Sequence, residues 1–325
     1  MAKNPLVSIV IVGNNESNYL DMCYQSILKQ TYHNVEIIYV DNNSDDDSYE
    51  KSVGYSSSFR KRGMYINVLK NKKIYTYSRC FTIGLEKTEG DYLYFMMPKN
   101  ILEPSFVECM VKAFEDEKVG TVFFSQDKMY KNKVIDARIL NSKECMQEHL
   151  SYEADLWVGQ MARRKIYSVI WQKYNVTLED YKFIYESFLA TCFNEYAIVD
   201  RVLVHLEEEI KLEEREKNMM SIFERYLMYL AMADICKKIK QEKLLKDNFV
   251  IMKKIARLCI AKAIRMYSFR ENQLAKKYLQ MSRVYDLEME HSEIYQKVKD
   301  LLEEQMPLNT ELIKWCQSEG QLCCI

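Results

Sequence analysis

The chain has 325 residues with 29% charged residues and a formal net charge of -1, enough length for a large core and more than one unit. Its near-neutral balance excludes a globally basic protein that coats nucleic acid. Ten cysteines and four histidines (His33, His149, His205, His291) are scattered without metal-ligand spacing, so neither a zinc site nor a disulfide framework is predicted.

The opening MAKNPLVSIVIVG carries an apolar run too short to span a membrane and no small-residue cleavage site. A cytoplasmic location with reduced thiols is the expectation. Residues 6–12 form a β-branched run that reads as a strand buried on both faces, followed by the polar loop Gly13-Asn14-Asn15-Glu16-Ser17. Residues 19–30 place Leu20, Cys23, Ile27 and Leu28 at helical spacing. A second buried run, 35–40, stops at the Asx-rich stretch 41–47. Strand, loop, helix, strand is a right-handed βαβ unit.

Short strands are then predicted at 66–69, 92–96 and 119–125, with helices at 80–87 and 106–114. The alternation implies an α/β fold, a mostly parallel sheet with helices on both faces. Residues 126–210 are less regular, with a helix predicted from 178 to about 193 and a strand-like run at 197–206. From 217 to 305 there is no proline or glycine, and helical periodicity predicts a separate module of three to five helices.

In an open parallel sheet, ligands bind beyond the carboxyl ends of the strands. That rule selects Val12 to Glu16, Asp41 to Ser44, Ser78-Arg79-Cys80 and Met97-Pro98-Lys99-Asn100. The Asp41 carboxylate suits the imide hydrogen of a uracil, and Arg79 suits a diphosphate. Each alone has a plainer reading: an Asx turn for 41–47, a surface side chain for Arg79. No G-x-G-x-x-G or P-loop is present, so no dinucleotide cofactor is indicated.

The segment from Pro5 through Ser44, with Ser26-Ile27-Leu28-Lys29-Gln30-Thr31-Tyr32 and Val40-Asp41-Asn42-Asn43-Ser44, resembles the opening of the family 2 glycosyltransferases. The likeness continues through Ser78-Arg79-Cys80, residues 90–95 and Leu178-Glu179-Asp180-Tyr181, roughly residues 5–210. It implies a GT-A type sheet, to which the helical periodicity beyond adds an all-α C-terminal module. Residues 1–125 would form the nucleotide-sugar-binding half, 126–210 the acceptor-binding half and 211–325 the helical module. It implies donor contacts from Val12, Gly13, Asn14, Asn15, Asp41, Asn42 and Arg79; Lys99, where the sequence departs from the family pattern, joins them on the charge of its own side chain. Asp180 would be the base of an inverting transfer from a nucleotide-sugar, UDP-linked, to a glycan, lipid-linked glycan or glycoprotein. The plainer role for Asp180 is capping of a helix beside Glu179.

Members of that family follow the fourth strand with an Asp-x-Asp motif that binds Mn2+ or Mg2+. The aligned residues here are Met97-Pro98-Lys99, poor ligands for a hard cation, so the usual metal site is expected to be absent. Two readings follow: metal-independent transfer with Lys99 and Arg79 supplying the charge, or an inactive GT-A subunit supporting a partner transferase.

Between residues 237 and 270 lie eleven lysines and arginines against only Glu242 and Asp247, beside an apolar stripe at 249–266. Three roles fit: a helix packed on its neighbours, a basic amphipathic helix on an anionic inner membrane, or a homodimer contact. Nucleic acid is not an expected partner, because aromatic residues are sparse on that face.

Overall fold

In a computed structural model, residues 4–126, 139–140, 160–166, 195–206, 236–237, 240 and 248–319 are described. The chain forms two compact units, 1–208 and 209–325.

The first unit is built on a nine-stranded sheet. Its strands are β1 (Val7–Gly13), β2 (Val35–Asp41), β3 (Tyr65–Lys70), β4 (Tyr92–Met96), β5 (Asn100–Leu102), β6 (Val119–Gln126), β7 (Ile139–Leu140), β8 (Gln160–Arg163) and β9 (Glu195–Leu206). The spatial order is β3-β2-β1-β4-β8-β6-β9-β5, with β7 also on β9. β3, β2, β1 and β4 are mutually parallel. β8 runs against both β4 and β6, β9 is parallel to β6, and β5 and β7 run against β9. The sheet is therefore mostly parallel, as the alternation of elements implied. The antiparallel strands β5, β7 and β8 are not foreseen from the sequence, since segments of two to four residues carry little periodicity.

Every residue of β1 is buried, because helices cover both faces. On one face Ile9, Ile11, Ile37 and Tyr39 pack with Leu20, Cys23, Tyr24 and Ile27 of α1 (Ser17–Leu28). On the other, Val10, Val12, Ile38 and Val40 pack around Cys80 of α4 (Tyr77–Leu85). A one-residue slip in register would exchange these two sets, so the register is strongly fixed. Two short helices not foreseen from sequence, α2 (Ser48–Gly54) and α3 (Ser56–Lys61), follow the Asx-rich loop. They close over Tyr24, whose hydroxyl meets Ser52 Oγ at 2.8 Å and whose ring meets Phe59 edge-on at 5.6 Å.

The motif Gln30-Thr31-Tyr32 ends α1 and serves the scaffold. Gln30 is fully buried; its Nε2 donates to the carbonyls of Ser26 and Glu103, and its Oε1 accepts from Val107 N at the start of α5 (Phe106–Ala113). Tyr32 donates its hydroxyl to the carbonyl of Pro5. At the amino end of the strands, Glu36 Oε1 accepts from Ser8 Oγ, Glu89 N and Gly90 N. A Cβ on Gly90 would lie 2.7 Å from Ser8 N and 2.9 Å from Leu6 O, backbone atoms that cannot move aside alone, so glycine is required there.

The second unit is helical where described: α6 (Asn248–Ser268), α7 (Asn272–Tyr285), a 3-10 turn at Leu287–His291, α8 (Glu293–Glu304) and α9 (Thr310–Ser318). Ser292 and Asn309 cap α8 and α9, accepting from Tyr295 N and Leu312 N. α6 is the core of this unit. Ile251, Ile255, Cys259, Ile260, Ala263, Ile264 and Met266 are buried, and so are Lys262 and Arg265, over the rings of Tyr278 and Phe269. Arg257 pairs with Glu319 at 2.5 Å and lies over Trp315. The apolar stripe of this helix is thus covered within its own unit, the plainest of the three roles its sequence allowed. No helix among the described residues is long and apolar enough to cross a membrane.

Candidate functional site

The ends of four parallel strands define one edge. Gly13 is in register with Asp41, Asp41 with Lys70, and Ile11 with Met96. The four segments selected from sequence leave this edge together. Helices α1 and α4 run back along the sheet, so their amino ends, with partial positive charge, also face it.

Asp41 is the central group. It is fully buried, and its Oδ2 accepts from Ser44 N at 3.1 Å. Its Oδ1 is buried with no hydrogen-bond partner among the described residues. A buried carboxylate oxygen left unmatched is costly, so this atom is poised to accept from an incoming N–H or O–H. Gly13 lies beside it. A Cβ there would sit 2.8 Å from Tyr39 Oη and 3.1 Å from Pro98 Cγ, so glycine lets β1 approach the loop after β4.

The asparagines shape the loops. Asn15 and Asn43 take left-handed φ values of 55° and 60°. Asn15 Oδ1 accepts from Asp45 N, and Asn14 Nδ2 donates to the Asn42 carbonyl. Asn42 Oδ1 accepts from Asn71 Nδ2 and Tyr75 N, while its Nδ2 donates to the Tyr75 carbonyl. Asn14 and Asn42, expected at the nucleoside, therefore spend these side-chain groups on the loops themselves. The side chain of Val12 packs in the core beside α4, leaving its backbone at the edge.

Asp46, not singled out from sequence, ties two helix starts together: Oδ2 accepts from Ser17 N and Oδ1 from Ser48 N. Burial pushes its pKa up, but the hydroxyl and backbone donors of Ser48 and Ser17 outweigh this and hold it below the usual carboxylate value.

On the cationic side, Lys99 Nζ lies 4.6 Å from the centre of the Tyr19 ring. Tyr77, in the first turn of α4, has its phenol pKa raised by burial and by the charges of Glu16 and Cys80, with Lys99 opposing. Glu16, Tyr19, Tyr77 and Lys99 thus form one cluster at the edge. Tyr19 and Tyr77 escaped the sequence reading because aromatic residues in a first helical turn look like ordinary packing groups. Arg79 is exposed in the same turn as Tyr77, and its backbone N–H is capped by Thr76 Oγ1. Asp180 lies outside the described residues.

The segment after β4 does not fit a divalent cation. It offers a thioether, an ammonium and Asn100, whose Oδ1 accepts from Met97 N at 2.8 Å. Among the described residues no group of three or more His, Cys, Asp or Glu could hold a metal ion.

Residues 8–171 match the model of the family described as glycosyl transferase family 2. An uncharacterized glycosyltransferase of Haemophilus influenzae is 27% identical over 167 residues, 51% of this chain and 47% of the relative. Glycosyltransferase GlyG of Streptococcus pneumoniae is 27% identical over 117 residues, 36% of this chain and 38% of the relative. The match thus spans less than half the length of these relatives. Among solved structures, the mannosyltransferase PcManGT of Pyrobaculum calidifontis, in complex with GDP-Man and Mn2+, aligns with TM-score 0.58 at 10% identity, covering 98% of this chain and 85% of that one. S. aureus TarS 1-349 in complex with UDP-GlcNAc aligns with TM-score 0.52 at 11% identity, covering 94% and 93%. At such identities the likeness speaks for the fold, that of the GT-A glycosyltransferases. With half of the chain matched by the family model and its motifs gathered at one sheet edge, the protein belongs to glycosyl transferase family 2.

Proposed function

We propose that the protein transfers a sugar from a UDP-linked donor to a glycan, lipid-linked glycan or glycoprotein acceptor, with inversion and without a resident divalent cation. The observation that carries the donor assignment is Asp41, whose buried Oδ1 awaits a donor at the end of β2. The imide N–H of uracil supplies one. Gly13 gives the backbone room at the same place, and S. aureus TarS 1-349, similar in fold, was solved in complex with UDP-GlcNAc.

The departing diphosphate needs positive charge. Of the cations at this edge, Lys99 and Arg79 are assigned to it, standing in for the ion held elsewhere in the family. One lysine about 4 Å from a phosphate contributes roughly 4 kcal/mol at an effective dielectric near 20. In this scheme Asp180 takes the proton of the acceptor hydroxyl as that oxygen attacks the anomeric carbon and UDP leaves.

The test is UDP release from UDP-sugars with and without a chelator, beside calorimetric titration with UDP. Turnover that survives the chelator, together with UDP binding lost in Asp41→Ala, supports the scheme. UDP binding without turnover for any donor favours the inactive GT-A subunit. Absence of both removes the donor assignment.

A further inference from the structure

We propose that the loop between β3 and α4 docks the catalytic edge onto an anionic lipid surface. Residues 51–85 contain no aspartate or glutamate. At the carboxyl edge of the sheet this leaves Lys70, Lys72, Lys73 and Arg79, all exposed. None of the four forms an ion pair with a carboxylate among the described residues. Lys70 and Lys73 instead lie 5.3 Å from the ring centres of Tyr49 and Tyr75.

Between these cations Ile74 is 66% exposed, and Tyr77 beyond it is 42% exposed. A single exposed isoleucine is ordinary. An isoleucine at the tip of a loop, preceded by two lysines that meet no carboxylate among the described residues and followed by a half-exposed tyrosine, has the composition that partitions into a charged bilayer interface. A soluble polyanion would use the lysines but give Ile74 no role.

The loop is also rigidly based. Asn71 N donates to the Asp41 carbonyl, Asn71 Nδ2 to Asn42 Oδ1, and Tyr75 is held by Asn42 on both its N–H and its carbonyl. The exposed tip is three residues long and anchored at both feet, so it can enter an interface without paying for the ordering of a long segment. Docking here would set the strand-end site against the membrane, where a lipid-borne acceptor lies. The helix α6 is a poorer candidate, since its apolar face is already covered within its own unit.

This proposal is independent of the donor assignment. The test is co-sedimentation of the full chain with phosphatidylcholine vesicles and with vesicles containing about a third phosphatidylglycerol. Binding is expected only to the anionic vesicles and weakens as salt is raised. Each lysine near such a surface contributes about five-fold in partitioning, so Lys72→Glu with Lys73→Glu lowers it by about 25-fold or more. Ile74→Ser lowers it as well, and these variants keep the thermal midpoint and the UDP affinity of the parent. Four results would overturn the proposal: no binding by the parent chain, binding indifferent to the lysine changes, Ile74→Ser partitioning like the parent (a generic polyanion site), or loss of UDP affinity in step with vesicle binding. If the parent chain binds vesicles as expected but no nucleotide, docking stands and the donor assignment falls.

Discussion

Asn42 holds Tyr75 as one strand holds another: its Oδ1 accepts the Tyr75 N–H at 2.9 Å and its Nδ2 donates to the Tyr75 carbonyl at 2.9 Å. The side-chain amide substitutes for a missing backbone partner, and it does so beside the buried carboxylate of Asp41. Asn42→Asp removes the donor and sets an oxygen against the Tyr75 carbonyl. We expect a loss of about 2 kcal/mol in unfolding free energy and roughly ten-fold weaker UDP binding, read by denaturant titration and calorimetry.

Lys99 is the one side-chain cation in the segment after β4. Lys99→Met keeps the stem against Tyr19 and deletes the charge. UDP affinity should fall about ten-fold while uridine affinity stays unchanged, because only the diphosphate feels the ammonium. Equal effects on both ligands would show that Lys99 acts by packing.

Asp41 should select the base. Uracil presents an N–H at position 3 where cytosine presents an acceptor, which would face the carboxylate oxygen. UDP should bind at least about ten-fold more tightly than CDP, and Asp41→Ala should erase most of that difference. Competition titration of the two nucleotides measures it.

Asp46 carries a pH signature. Its folded pKa lies below the usual carboxylate value, so its contribution to stability is present above that value and is lost as the pH falls through the folded pKa. Asp46→Asn should cost about 1 kcal/mol at neutral pH, the usual scale for a helix-start acceptor. The gap between the two proteins should narrow as the pH drops below the usual aspartate pKa of about 3.9, measured by urea unfolding across the acid range.

Gln30 separates scaffold from site. Gln30→Ala removes the side-chain partners of the Val107 N–H and the Ser26 carbonyl and leaves the Glu103 carbonyl only the Phe106 N–H, for a loss of about 2–4 kcal/mol. It sits at the carboxyl end of α1, away from the strand-end edge. The melting temperature should fall while the UDP dissociation constant holds.

The sequence by itself determined the parallel core and the edge where chemistry gathers. Runs such as 7–12 and 35–40 are apolar on both faces, and that pattern is local, as are the Asx-rich stops that follow them. What each loop residue does was decided only by tertiary structure. Asn42 meets Tyr75 across 33 positions, Gln30 meets Glu103 across 73, and Lys99 meets Tyr19 through a helix on another strand's connection. A side chain that can bind a ligand or brace a turn has the same sequence signature either way. Likewise the basic stripe of α6 looks amphipathic in one dimension, yet its apolar side, with Lys262 and Arg265, is buried among the helices of its own unit. Periodicity reports which faces are apolar; only packing decides what covers them.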